Sequence, residues 1–250
     1  MRIDGSRKSE LKPYLVKAFI TIAVILALIA YFKIFLIKGI LYDGVFLKRS
    51  EVSPSEISYE GISAYGDMKI TVKNTIDNGV ITVDFCLPNS IHEQFLVESS
   101  KSTNEYSDKY VIIKKDNAVA FKGNYNKKST FLTEINGTPF FNENEITYYN
   151  GGNPYFSGYQ ISLKKVADLA FFSNDIILGR IELLVFAVFL FGLTLFDRKF
   201  PLFFFTMKHL LDVRDPEPSD IYIYIQKLTW IVYPIVGICF MIYAIISRFV

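Results

Sequence analysis

The run Ala18-Phe19-Ile20-Thr21-Ile22-Ala23-Val24-Ile25-Leu26-Ala27-Leu28-Ile29-Ala30-Tyr31-Phe32-Lys33-Ile34-Phe35-Leu36-Ile37 decides how the whole chain is read. It carries one charge, Lys33, near its outer end, where a long side chain can reach the interface. As a helix it covers about 30 Å, the thickness of bilayer hydrocarbon. A cleaved signal peptide competes, because basic residues precede the core. The run exceeds a signal core of about 7–15 residues, and Ala27 and Ala30 miss the A-x-A spacing. The first cysteine, Cys86, lies too far along for a lipobox. A retained anchor over 18–38 is therefore expected, behind a basic tail over 1–17. Within it Ala23 and Ala27 form a small-xxx-small pair that lets a partner helix approach.

Two further blocks read in the same way. Leu183 to Phe196 is apolar but short. Extended back to Ile176 it reaches spanning length and takes in Arg180 and Glu182. Their i, i+2 spacing places them on different helix faces, so no pair between them is expected. Glu182 is the one acid in this span and so a functional candidate, against the plainer reading of a carboxylate at headgroup level. Leu228 to Ile246 is uncharged, with Trp230 and Tyr233 suited to an interfacial belt beside Lys227 and Pro234 expected to kink the helix.

The fold class expected is thus an α+β membrane protein of three transmembrane helices, with a β-rich extracytoplasmic domain between the first and second. The second span covers 176–196, a cytoplasmic amphipathic connection 197–219, and a helix containing the third span 220–246. Basic residues set the orientation. Arg2, Arg7, Lys8, Lys12 and Lys17 share a side with Arg198, Lys199, Lys208, Arg214 and Lys227, which puts the N-terminus in the cytoplasm. Lys33, Lys38, Lys48 and Arg49 weigh the other way.

The insert, 43–175, is long enough for its own core. Met68–Lys73 and Val80–Phe85 flank the turn Asp77-Asn78-Gly79. Tyr110–Ile113 and Ala118–Phe121 flank Lys114–Asn117. Thr130–Ile135 and Thr138–Phe141 flank Asn136-Gly137, a strong hairpin dipeptide, with Pro139 confining the return strand to an edge. Ile146–Tyr149 and Tyr155–Leu163 are expected as strands around Asn150–Pro154, and Ser99–Asn104 as a surface loop. Ser90-Ile91-His92-Glu93 fits a capping box and predicts a short helix. Leu163, Val166, Ala167 and Ala170 predict a second. Cys86 reads as core packing and has no disulfide partner in this segment.

Composition excludes more than it identifies. The 250 residues are 51% hydrophobic and 16% aromatic, with net charge +2, and the insert holds 13 basic against 17 acidic residues. Neither balance recruits nucleic acid. Two cysteines and two histidines leave little for a metal site, and no cofactor motif is legible. His92-Glu93-Gln94-Phe95-Leu96 lacks the second histidine of a zinc helix. Gly61-Ile62-Ser63-Ala64-Tyr65-Gly66 misspaces a nucleophile elbow. Glu143 and Glu145 share a strand face but read as solvated edge charges. Asn136-Gly137-Thr138 has the form of a glycosylation sequon and is explained by the turn.

In the connection, Phe200–Met207 is aromatic-rich and predicts an interfacial helix with Pro201 at its first position. Ser219 is placed to cap the last helix. Glu217-Pro218-Ser219-Asp220, behind an aromatic amphipathic stretch and before a membrane helix, resembles the C-terminal part of small uncharacterised bacterial membrane proteins with an E-P-S-[DE] loop. The resemblance covers about 185–246. Lys227 stands near the arginine expected there, and Gly237 later than the expected glycine. It implies a bacterial membrane protein and no activity.

These features predict a non-enzymatic multi-pass cell-membrane protein that presents the insert as a binding or assembly domain. An immunity or complex-accessory role is the sub-case. Its partners would be the bilayer and another membrane or secreted protein. The alternative is an oligomeric transport or signalling component using Glu182, Arg180 and the Pro234 kink.

Overall fold

The computed structural model describes residues 6–75, 79–99, 109–141, 153–156, 158–209 and 217–248. The chain divides into two compact units, Met1–Ile37 with Leu178–Val250, and Lys38–Ile177 between them.

The inserted unit is an antiparallel sheet. Its strands are β1 (Lys38–Tyr42), β2 (Val45–Ser53), β3 (Glu56–Ser63), β4 (Gly66–Thr75), β5 (Val80–Leu87), β6 (Ile91–Ser99), β7 (Lys109–Lys115), β8 (Ala118–Tyr125) and β9 (Ile176–Ile177). Among the described residues the spatial order is β8-β7-β6-β5-β4-β3-β2-β1-β9, a sequential meander closed by the last strand beside the first. Tight turns drive it. Asp43-Gly44 and Asp116-Asn117 link β1 to β2 and β7 to β8 with positive φ at both positions, the geometry that matches strand twist. Side chains alternate between two faces. Cross-strand neighbours Tyr59, Ile70 and Phe85 bury one row, and Val72, Val83 and Phe95 the next. The opposite face carries Lys69 on Glu60 (2.8 Å) and Lys114 on Glu98 (2.6 Å). Helix α2 (Leu163–Ala170) lies against β5, β6 and β8 and buries Leu163, Val166, Ala167 and Ala170, as its spacing predicts, and Leu169 besides.

Several expectations are corrected. Ser90 caps no helix. Asn89 and Ser90 have φ of 59°, and Ile91–Ser99 is strand β6, because Phe95 and Val97 alternate into the core. Cys86 does not pack in the core; it is an exposed free thiol on the charged face, between Lys69 and His92 of adjacent strands. Among the described residues Tyr155–Leu163 forms no strand. Tyr155 and Ile161 are buried from irregular backbone, the Asn89 amide donates to the Tyr155 carbonyl, and Leu163 already opens α2. Thr130–Phe141 does return on itself, but only as isolated bridges from Asn124 to Thr133 and from Thr133 to Pro139. Its turn carries Gly137 at φ 88° and Asn136 Oδ1 accepting from the Thr138 amide at 2.9 Å. Asp77, Asn78, Ser100–Asn104, Glu143, Glu145, Ile146–Tyr149 and Asn150–Gly152 lie outside the described residues.

The helical unit contains α1 (Ser6–Phe35), α3 (Ile181–Lys199), α4 (Phe203–His209) and α5 (Asp220–Ile246). Tyr14–Phe35 and Asp220–Ile246 are long and apolar enough to cross a membrane, and both are mostly exposed. Helix α1 ends at Phe35, so the sheet takes over at Lys38 and not at Asp43. Helix α3 starts at Ile181 and not at Ile176. Ile176-Ile177 pair with β1, after which the Leu178 amide donates to the Ile37 carbonyl (2.7 Å) and Gly179 to Phe35 (2.9 Å). The Arg180 amide donates to the Ala244 carbonyl (3.0 Å), and the Tyr31 hydroxyl to the Met241 carbonyl (3.1 Å). The end of α1, the start of α3 and the end of α5 therefore meet. Helix α5 runs through Pro234 and is capped by Ser219, whose Oγ accepts from the Tyr222 amide at 3.3 Å. Helix α4 begins at Phe203, since Pro201-Leu202 form the preceding turn.

Candidate functional site

Helices α3 and α5 pack along each other, with the Phe191 ring over Gly237, where a Cβ would come within 3.0 Å. At the end of the seam where α3 finishes, three polar side chains converge. Asp197, two residues before the end of α3, accepts from the Gln226 amide at Oδ1 (2.8 Å) and from the Trp230 indole at Oδ2 (2.5 Å). Gln226 and Trp230 are i, i+4 on α5, hence on one face. Gln226 is buried and also donates to the Pro201 carbonyl, tying the turn after α3 to α5. The Arg198 guanidinium stands 5.8 Å over the Trp230 ring. Beside this cluster opens a cavity of about 320 Å³ lined by Leu193, Asp197, Phe204, Tyr222, Ile225, Gln226, Thr229 and Tyr233. Its walls are chiefly apolar and aromatic, with the carboxylate, amide and hydroxyl placed together, the composition of a small-molecule site.

The residues singled out from sequence are placed differently. Arg180 precedes α3 in extended conformation and Glu182 lies in its first turn. Because Arg180 is not helical, the i, i+2 argument does not apply, and its Nε lies 3.9 Å from Glu182 Oε2 in a loose, exposed pair (44% and 68% exposed). The Arg180 amide is at the level of Ala244, ten residues past Pro234 and so about 15 Å along α5. Arg180, Glu182 and Pro234 are thus not gathered into one site. Ala23 and Ala27 are exposed on α1. Asp197 carried a legible signal, an acid at the end of an apolar run. Gln226 carried none, since its role depends on a helix that sequence does not bring near.

The sheet unit has its own polar centres. Asp43, in the β1–β2 turn, accepts from the Tyr159 hydroxyl (2.6 Å) and pairs with Lys165 (2.5 Å), while the Tyr42 and Tyr159 hydroxyls share a hydrogen bond (3.0 Å). Asp168, buried on α2, accepts from the Tyr125 hydroxyl (2.8 Å) and the Asn174 amide (3.1 Å) and pairs with Lys164. Asp175 accepts from the Tyr59 hydroxyl (2.7 Å) and pairs with Arg49. Burial first, and the adjacent carboxylates second, push the Tyr42 phenol well above its ordinary range; burial, with the hydrogen bond to Asp175, does the same for Tyr59. Tyr125 and Tyr159 are raised chiefly by burial. Tyr59, Tyr125 and Tyr159 donate to carboxylates and Tyr42 bonds the Tyr159 hydroxyl, so the four lock segments together. His92 and Glu93 lie on a strand, on opposite faces, and no group of three His, Cys, Asp or Glu among the described residues is placed to hold a metal ion.

Residues 186–244, which build the α3–α5 seam, match DUF6199, a family of unknown function. No curated protein matches the chain, and no solved structure does.

Proposed function

We propose that the chain is a multi-pass membrane protein that presents the Lys38–Ile177 sheet outside the cytoplasm as a binding or assembly module. The observation that carries this is the outward apolar surface of the long helices. Helix α1 is exposed from Tyr14 to Ala30, which supports a lipid-facing helix over the core helix of a soluble protein. A helix hydrophobic all round and unburied needs lipid.

Helix α3 serves as the second of the three spans. It is about 28 Å long, and it exposes Val185, Phe186, Val188, Phe189 and Leu195 while packing on α5. Its charges sit at its ends, Glu182 at one and Asp197, Arg198 and Lys199 at the other, where they can reach headgroups. The meeting of the end of α1, the start of α3 and the end of α5 is what three alternating spans require. With the N-terminus in the cytoplasm, Arg198, Lys199, Lys208 and Lys227 share that side with the basic tail.

Cys86 supplies the test, being exposed on the sheet. A membrane-impermeant maleimide added to intact protoplasts is expected to label it, and Cys86→Ser to abolish the label. The protein is expected to stay with membranes through alkaline carbonate washing. Labelling that appears only after permeabilisation overturns the topology, and release by carbonate overturns the membrane reading.

A further inference from the structure

We propose that the cavity at the α3–α5 junction binds the primary ammonium headgroup of an aminophospholipid, with the start of the apolar tail along Leu193 and Ile225. The lipid source rests on the membrane reading above; the ammonium chemistry does not. Charge argues first. Both Asp197 oxygens are held by neutral donors, Gln226 and Trp230, and among the described residues no Lys or Arg forms an ion pair with it. The half-buried carboxylate, held in place on a largely apolar wall, is the charged acceptor that a cation entering the cavity meets.

The surroundings select the kind of cation. The Phe204, Tyr222 and Tyr233 rings line the same space and favour a cation over their faces. Each Asp197 oxygen keeps a lone pair, and Thr229 gives its proton to the Gln226 carbonyl (2.8 Å), leaving its own lone pairs free to accept. A primary ammonium brings three N–H donors to these acceptors, whereas a quaternary ammonium brings none. Arg198, over the Trp230 ring that bonds Asp197, offers a cation for the phosphate while Asp197 takes the ammonium, the complement of a zwitterionic headgroup.

Trp230 is the only tryptophan and bonds directly to Asp197, so its emission reports on this site. The test titrates the full chain, in nonionic detergent, with short-chain phosphatidylethanolamine. The same titration is run with phosphatidylcholine and phosphatidylglycerol of equal chain length, and with free ethanolamine. A saturable change with phosphatidylethanolamine alone is expected, weakened at least tenfold in Asp197→Asn and a few-fold in Thr229→Val. An equal response to phosphatidylcholine or phosphatidylglycerol, a response to ethanolamine at similar concentration, no response, or unchanged affinity in both variants overturns the proposal. Should Asp197→Asn not fold, the headgroup series on the natural chain and Thr229→Val still decide. Because the titration needs no bilayer, its failure is distinct from a failure of the topology experiment.

Discussion

Asp168 shows what single residues do in this chain. Its side chain is almost fully enclosed, with Lys164, Tyr125 and Asn174 around it. Removing one partner of a buried pair strands the other charge, so Asp168→Ala is expected to cost about 3 kcal/mol. A shift in urea midpoint worth under about 1 kcal/mol would show the pair to be incidental. The buried phenols give a second expectation. Their folded pKa values lie above the unfolded value near 10, so folding is undisturbed below that pH and weakens as pH rises through the window above it. Each of Tyr42, Tyr59, Tyr125 and Tyr159 adds a loss of about 1.4 kcal/mol per pH unit while its unfolded form is ionised and its folded form is not. In an alkaline titration, part of the phenolate absorbance should therefore appear together with loss of ellipticity. Full phenolate absorbance at pH 10–11 with ellipticity intact would contradict this.

At the scale of elements, what could be read was what obeys a period. The β4–β5 and β7–β8 hairpins and α2 follow theirs and were legible. Strands β1, β2 and β3 were not; on β2 the inward position after Leu47 holds Arg49 in place of an apolar residue. Arg49 pairs across the sheet with Tyr59 and is neutralised by Asp175, far along the chain, so the alternation fails for a tertiary reason. Ser90 misled for the opposite reason: a local capping signal lost to strand pairing on both sides. The start of α3 is set by close packing, which leaves no sequence period. A Cβ at Gly179 would come within 2.1 Å of the Phe35 ring. Gly179→Ala should therefore destabilise by about 1–3 kcal/mol through overpacking, and Phe35→Leu in the same chain should recover part of that loss. Additive losses in the two variants, measured by thermal unfolding in detergent, would mean that the contact does not govern this junction.

On the scale of the whole molecule, three apolar blocks around a polar insert were legible as a layout, while the α3–α5 cluster was not, since it joins residues that only tertiary packing brings together. The layout has a physical basis in the sheet itself. The inserted unit begins on β1 and ends on β9, which are hydrogen-bonded neighbours, with Gly39 opposite Ile176. Its ends therefore leave side by side, as a domain inserted into another chain requires. Its core is contiguous from Ile40 through Tyr125 to Ala170, with no disulfide among the described residues. Every residue of that core, and those packed on it, lies between Ile40 and Phe172, so residues 38–177 expressed alone are expected to be soluble and to unfold in one cooperative step, with a stability in the usual range of about 5–15 kcal/mol. Cys86 should react with a polar maleimide at the same rate in the fragment as in the full chain. A fragment that aggregates, or unfolds gradually with denaturant, would show that the sheet depends on the helical unit, and the picture of an independent module carried on membrane helices would fall with it.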